Sequence, residues 1–176
     1  MNWKKVLPGV SYLEMAQEAI KQATQGLLHD EQRLHLTNIV WAKPVVVGEK
    51  FETVHIALHP DEDGSIRYEV YTNDQNQENA IVHSQGCAQF YPVSDTESLD
   101  INSRLAACQA ESISPVECYG IFTAMGIEYG PAHKGVKDIY IGDREIFAKI
   151  YLPSFVANTQ AQFTLHQSLM DSALQL

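Results

Sequence analysis

The sequence predicts an α+β protein in which antiparallel strands pack around helices. Three observations carry that expectation. A helical segment after Pro8-Gly9 is followed by several strand-like stretches separated by polar turns. Alternating apolar residues flank Pro60-Asp61-Glu62-Asp63-Gly64, which marks an antiparallel hairpin. A second helical start at Ser114-Pro115 is again followed by strands, so the pattern begins anew in the second half.

The elements follow in order. Ser11 and Glu14 have the S-x-x-E spacing of a capping box, and Tyr12, Met15, Ala16, Ala19, Ile20 and Ala23 share one helical face. That face is rich in alanine, which suits a helix lying close against a sheet. Gly26 is a C-terminal stop. Residues 34–41 and 45–47 look extended, punctuated by Pro44 and Gly48. Val54, Ile56 and Leu58, then Ile66, Tyr68 and Val70, alternate with other residues and make 51–72 a hairpin. Residues 73–79 read as a polar turn and 80–91 as another strand. The polar run near Ser94 to Ser98 makes 94–112 a linker between a first unit, 1–93, and a second, 113–176.

The second unit opens on a clear cap, with Ser114 as N-cap, Pro115 at the first helical position and Glu117 closing the box. Ile121, Phe122 and Met125 form its apolar face and Gly126 its stop. Tyr129-Gly130-Pro131 turns the chain, residues 136–141 and 145–152 form a hairpin, and a last helix begins near His166 or Ser168. With only two strands ahead of it, that helix is expected to belong to an incomplete unit.

Composition bounds the function. Of 176 residues, 45% are hydrophobic and 19% charged, as in an ordinary globular protein. A net charge of -10 without a basic stripe argues against nucleic acid. Cys87, Cys108 and Cys118 are odd in number and far apart, so free thiols are expected and neither a disulfide framework nor a metal cluster. Cys118 has no neighbouring group that marks it as a nucleophile. No apolar run is long enough for a signal peptide or a membrane span, and the cytoplasm is the default location.

One pair of side chains suggests chemistry. A helix beginning near Ser168 puts Asp171 in its first turn, where the macrodipole favours a carboxylate by a few tenths to about 1 kcal/mol. Gln175 follows at i+4 on the same face. A carboxyl group with an amide stacked above it suits a proton donor or a hydroxyl-binding pair, although a capping role is the commoner use of such an aspartate.

Three segments together resemble one family. Leu7-Pro8-Gly9 is followed by a helix. Tyr129-Gly130-Pro131-Ala132-His133-Lys134-Gly135 is similar to a Y-G-P-x-F/H-x-G segment. His166-Gln167-Ser168-Leu169-Met170-Asp171-Ser172-Ala173-Leu174-Gln175 is similar to H-P-x-x-x-D-x-x-x-Q, with Gln167 in place of proline. In this order they resemble the dehydratase domain of modular polyketide synthases. The resemblance implies a double hotdog, its second hotdog incomplete here. It makes Asp171 a general acid that protonates a departing β-hydroxyl, with Gln175 helping to hold that group. Tyr129, Gly130 and Pro131 would line the channel, and Pro8, Gly9 and His166 would contribute to substrate binding. The substrate implied is a β-hydroxyacyl thioester on the phosphopantetheine of an acyl carrier protein, and the product an α,β-unsaturated thioester. Neighbouring synthase domains are the implied partners, self-association is open, and neither a metal nor another cofactor is expected.

One family element is out of place. The first motif, H-x-x-x-G-x-x-x-x-P, aligned on Pro8 puts Trp3 where the family has glycine and its histidine ahead of Met1. The chain alone is therefore expected to lack the general base and to look truncated at both ends. His29, His35, His55, His59, His83 and His133 are read as lying on loops, strands or turns without a second catalytic group beside them. Two alternatives stay open: a non-catalytic double-hotdog remnant that holds acyl chains or neighbouring domains, and another hotdog enzyme acting on thioesters, such as a thioesterase.

Overall fold

The computed structural model describes residues 4–25, 32–48, 52–73, 80–93, 98–108 and 111–176. The expected stop at Gly26 and the turn at 74–79 lie outside them. The chain divides into two compact units, Met1–Asp95 and Thr96–Leu176.

In the first unit, β1 (Lys5–Val6) pairs antiparallel with β3 (Val46–Val47). Helix α1 (Ser11–Ala23) packs on a four-stranded antiparallel sheet of β2 (Gln32–Trp41), β6 (Ala80–Pro92), β5 (Ile66–Asn73) and β4 (Val54–Pro60), in that spatial order. The alternation seen in the sequence is the packing pattern, because Ile66, Tyr68, Val70 and Thr72 point inward while Arg67 faces out. They meet Tyr12, Ala16 and Ile20 of α1, with Val45 and Ala88, in one core. The turn at 60–64 closes where Gly64 adopts φ +83°, a conformation that glycine reaches without Cβ strain.

Two expectations for α1 fail. Val10, not Ser11, occupies the N-cap and carries no side-chain cap. The chain instead tightens into the helix through Ser11 N–H donating to Pro8 O at 3.0 Å and Tyr12 N–H to Gly9 O at 3.2 Å. Ala23 is exposed, and the buried stripe runs Tyr12, Leu13, Ala16, Ile20.

A bulge in β6 turns both His83 and Ser84 inward, since Val70 pairs with Ser84 and Tyr71 with Val82. His83 is saturated. Its Nδ1–H donates to the Lys43 carbonyl at 2.9 Å, and Nε2 accepts from the Thr72 hydroxyl at 2.9 Å. The Lys43 carbonyl can only accept, which fixes that tautomer. The imidazole thus ties the 42–45 segment to the sheet.

In the second unit, β7 (Glu111–Ile113), β8 (Val136–Ile141) and β9 (Ile146–Ile150) form an antiparallel sheet. Helix α3 (Pro115–Ala124) packs on it, with Cys118, Val136 and Ile139 buried and Ile113, Tyr119, Phe122 and Ala148 around them. The capping box at Ser114 and Glu117 forms as the sequence indicates. The far end closes as a Schellman motif, with Gly126 at φ +87° and Ile127 N–H donating to Phe122 O. The buried face differs from expectation, because Ile121 and Met125 are exposed and Cys118 takes the inward position.

The described residues of the segment read as a linker, 98–108 and 111–112, include a helix and the start of a strand. Helix α2 (Ile101–Ala107) starts at Asp100, whose carboxylate accepts from the N–H groups of Asn102 and Ser103, and β7 then supplies a third strand. A 3₁₀ segment (Ser154–Gln162), for which the sequence carries no periodic signal, leads to α4 (Gln167–Leu174). The three cysteines are free. Burial pushes the Cys118 thiol up, away from the reactive thiolate, which weighs against a nucleophilic role.

Candidate active site

The polar residues singled out near the C-terminus converge in the second unit. Helix α4 turns Ser168, Asp171, Ser172 and Gln175 inward, an inner stripe that is polar and not apolar. Such a stripe is stable only when each group finds a partner. Ser172 Oγ donates to Ser168 O at 2.8 Å and accepts from Gly135 N–H at 3.2 Å. This pair of bonds fastens α4 to the start of β8. Gly135 is required for the approach, since a Cβ there would fall 2.6 Å from both Ser172 Oγ and the Tyr151 carbonyl.

His166, and not Ser168, is the N-cap of α4. Its Nδ1 accepts from Ser168 N–H at 3.2 Å. Its Nε2–H donates to Thr159 Oγ1 at 3.0 Å, the threonine hydroxyl proton being spent on Val156 O. With 6% of its surface exposed and both nitrogens hydrogen-bonded, His166 holds the helix start. The earlier cap position moves Asp171 into the second turn, so the macrodipole contributes little to its carboxylate.

Asp171 sits in a short network. Its Oδ2 accepts from Gln175 Nε2 at 3.1 Å, and the second Nε2 proton goes to the His133 carbonyl at 3.1 Å. Gln175 Oε1 accepts from the Tyr119 hydroxyl at 3.1 Å, and that hydroxyl accepts from Val136 N–H at 3.1 Å. Both amide donors of Gln175 are therefore used inside the protein. The glutamine holds the carboxylate and has no N–H left for a substrate hydroxyl. Asp171 Oδ1 has no hydrogen-bond partner among the described residues.

His133 is the surprise of the site. Its Nδ1 lies 3.2 Å from Asp171 Oδ2, with the two side chains only 21% and 15% exposed. The approach is out of line for a hydrogen bond, and Nδ1 has no such partner among the described residues. The contact is thus a close approach of two polar side chains and not a hydrogen bond. The expectation that His133 has no second catalytic group beside it is corrected. The pair is separated by 38 positions, and no local pattern links them.

Tyr129 stands beside this cluster, its ring edge-on to Phe122 at 5.1 Å and to Tyr119 at 6.0 Å. Burial, with Asp171 and Cys118 adding to it, pushes its phenol above the ordinary tyrosine range; burial does the same to Tyr119. Both remain neutral phenols at physiological pH. Gly130 O accepts from His133 N–H at 2.9 Å, and Pro131 starts the 3₁₀ turn Pro131–His133 that carries the histidine to Asp171. A cavity of about 820 Å³ lies alongside, lined by Tyr119, Lys134, Val136 and Tyr151 among others.

Pro8 and Gly9 belong to the first unit, at the start of α1. The Gly9 carbonyl accepts from Trp41 Nε1–H at 2.9 Å, and a Cβ on Gly9 would meet that indole nitrogen at 3.0 Å. Residue 9 thus leaves room for the indole. Tyr119 and the Ser172–Gly135 latch escaped the sequence reading. Only the small residues Ser168 and Ser172 at i and i+4 hinted that α4 meets another backbone closely.

Comparison with known proteins identifies the family. Residues 1–73 match the family described as polyketide synthase dehydratase domain, and residues 97–176 that described as polyketide synthase dehydratase N-terminal domain. Polyketide synthases PksN and PksM of Bacillus subtilis (strain 168) are 41% and 36% identical over 98% and 97% of this chain. The chain spans 3% and 4% of their lengths. A trans-AT polyketide synthase dehydratase domain from Brevibacillus brevis matches with a TM-score of 0.91 at 40% identity, over 98% of this chain and 64% of that one. No helix among the described residues is long and apolar enough to cross a membrane. With its double-hotdog fold and its Asp171–Gln175 helix, the chain belongs to the dehydratase domains of polyketide synthases.

Proposed function

We propose that this chain supplies the acid half of a dehydration, removing water from a β-hydroxyacyl thioester on an acyl carrier protein. The observation that carries the reading is the asymmetry of the Asp171 carboxyl group. Oδ2 accepts the Gln175 N–H, which leaves Oδ1 as the oxygen from which a proton would be given. An O–H there is the donor a leaving hydroxyl needs.

A base takes the α-proton, the freed electron pair becomes the C=C bond, and the C–O bond breaks. Asp171 gives its Oδ1 proton to the departing oxygen, releasing one water and an α,β-unsaturated thioester. Transfer of the proton from the base back to Asp171 resets the site. The family resemblance assigns the base to the histidine of the H-x-x-x-G-x-x-x-x-P motif that ends in the turn at Pro8. A positioned acid of this kind is worth roughly 10² to 10⁴ in rate. Proton transfer of this kind calls on no cofactor beyond the phosphopantetheine that carries the substrate. Tyr129, Gly130 and Pro131 would border the path of the acyl chain, and neighbouring synthase domains would deliver it.

The test is direct. A dehydratase domain containing this chain, given a β-hydroxyacyl group on a carrier protein, yields the unsaturated thioester by mass spectrometry. Quantitative recovery of the hydroxyacyl group would refute the assignment.

A further inference from the structure

We propose that Tyr119 is a positioning residue of the acid site, acting through Gln175. The role rests on the reading of Asp171 given above.

A glutamine amide has two nearly isosteric orientations, related by exchange of its oxygen and nitrogen. In the flipped one, Gln175 Oε1 would face the His133 carbonyl and Asp171 Oδ2, which sets an acceptor against two acceptors. The observed orientation places the oxygen against the Tyr119 hydroxyl at 3.1 Å. A phenol can donate or accept, so it discriminates only if its own proton is directed. Val136 N–H does this, donating to the hydroxyl oxygen at 3.1 Å and leaving the phenolic proton for Gln175. The first residue of β8 thus sets the direction of a relay that ends on Asp171. The ring is held in place by Tyr129 edge-on at 6.0 Å and by Lys134 Nζ 5.6 Å from its centroid. Tyr119 lies 56 positions before Gln175, and its hydrogen-bonded path to Asp171 runs through the Gln175 amide.

The experiment uses the 176-residue chain, labelled with ¹⁵N, and reads the Gln175 side-chain amide by NMR. In the unaltered chain the two amide protons give separate signals protected from solvent. Tyr119→Phe should speed their exchange roughly 2- to 12-fold, the loss of one hydrogen bond, and draw them toward the position of a free glutamine. Tyr151→Phe, a change on the wall of the same cavity, should leave them unchanged. A folded Tyr119→Phe chain with unaltered Gln175 signals would overturn the proposal, even if its melting temperature fell. If that variant does not fold, the unaltered chain decides. A protected Tyr119 hydroxyl proton with cross-relaxation to Gln175 supports the relay, and a hydroxyl exchanging like free phenol overturns it. None of these readouts involves turnover, so they stand or fall independently of the dehydration assay.

Discussion

Gly135→Ala isolates the contact that seats the acid helix. The backbone at Gly135 is not in the left-handed region, so an alanine could adopt its conformation; what is missing is space. The added methyl would fall 2.6 Å from Ser172 Oγ and 2.6 Å from the Tyr151 carbonyl. The Tyr151 oxygen is fixed backbone of the segment that pairs back to Gly135, since Tyr151 N–H donates to Gly135 O at 2.8 Å. Relief therefore comes by pushing α4 away from β8. Overpacking costs about 1–3 kcal/mol, and loss of the Gly135 N–H to Ser172 bond a further ~0.5–1.5 kcal/mol, together about 1.5–4.5 kcal/mol. For a unit the size of residues 96–176 that lowers the melting midpoint by roughly 6 °C or more. Scanning calorimetry reads the shift, and hydrogen exchange should show it in β8 and α4 first. Adding Ser172→Gly should restore only part of the loss, because the Tyr151 carbonyl remains. A Gly135→Ala chain within about 0.5 kcal/mol of the original would refute the close-approach argument, since surface substitutions stay in that range.

Further outcomes follow from single contacts. Trp41→Phe removes the indole N–H that donates to Gly9 O, and with Trp41 half exposed the cost should be about 0.5–1 kcal/mol by urea unfolding; no change would show that the bond contributes nothing. Ser114→Ala should cost about 1 kcal/mol through the lost helix cap, read the same way. The Ser114 hydroxyl and backbone N–H beside Glu117 hold its carboxyl below the usual carboxylate range. The folded value is depressed, so this contribution is present above the ordinary glutamate value and is lost as pH falls through the folded one. The acid-side fall in stability should accordingly be shallower in Ser114→Ala than in the original chain.

What was legible in the sequence was what is local. The hairpin of β4 and β5 announces itself through alternation across a turn that ends on Gly64, and α3 through Ser114, Pro115 and Glu117. The family motifs located Asp171 and Gln175. Misreadings arose where two local signals competed. Ser11 and Glu14 have the spacing of a capping box, yet the Pro8-Gly9 turn satisfies the first N–H groups and starts the helix early. The start of the last helix was left between His166 and Ser168, and the imidazole of His166 decides it by accepting from the Ser168 N–H. Asp100 ahead of Ile101 was a cap signal that the polar neighbourhood obscured. The remainder was illegible because it is long-range. Three residues of β7 are held by pairing with β8 and by packing Ile113 on a core built from distant residues, and His133 and Tyr119 reach the site from 38 and 56 positions away.

The most direct measurement is the single-turnover rate of a dehydratase domain containing this chain, with Asp171 and with Asp171→Asn, on a β-hydroxyacyl carrier-protein substrate. Asparagine keeps the shape and can still meet Gln175 through its oxygen, but it has no acidic proton to give. The account predicts a fall of roughly 10² to 10⁴ with an unchanged unfolding transition. An Asp171→Asn domain that dehydrates at the original rate would contradict it.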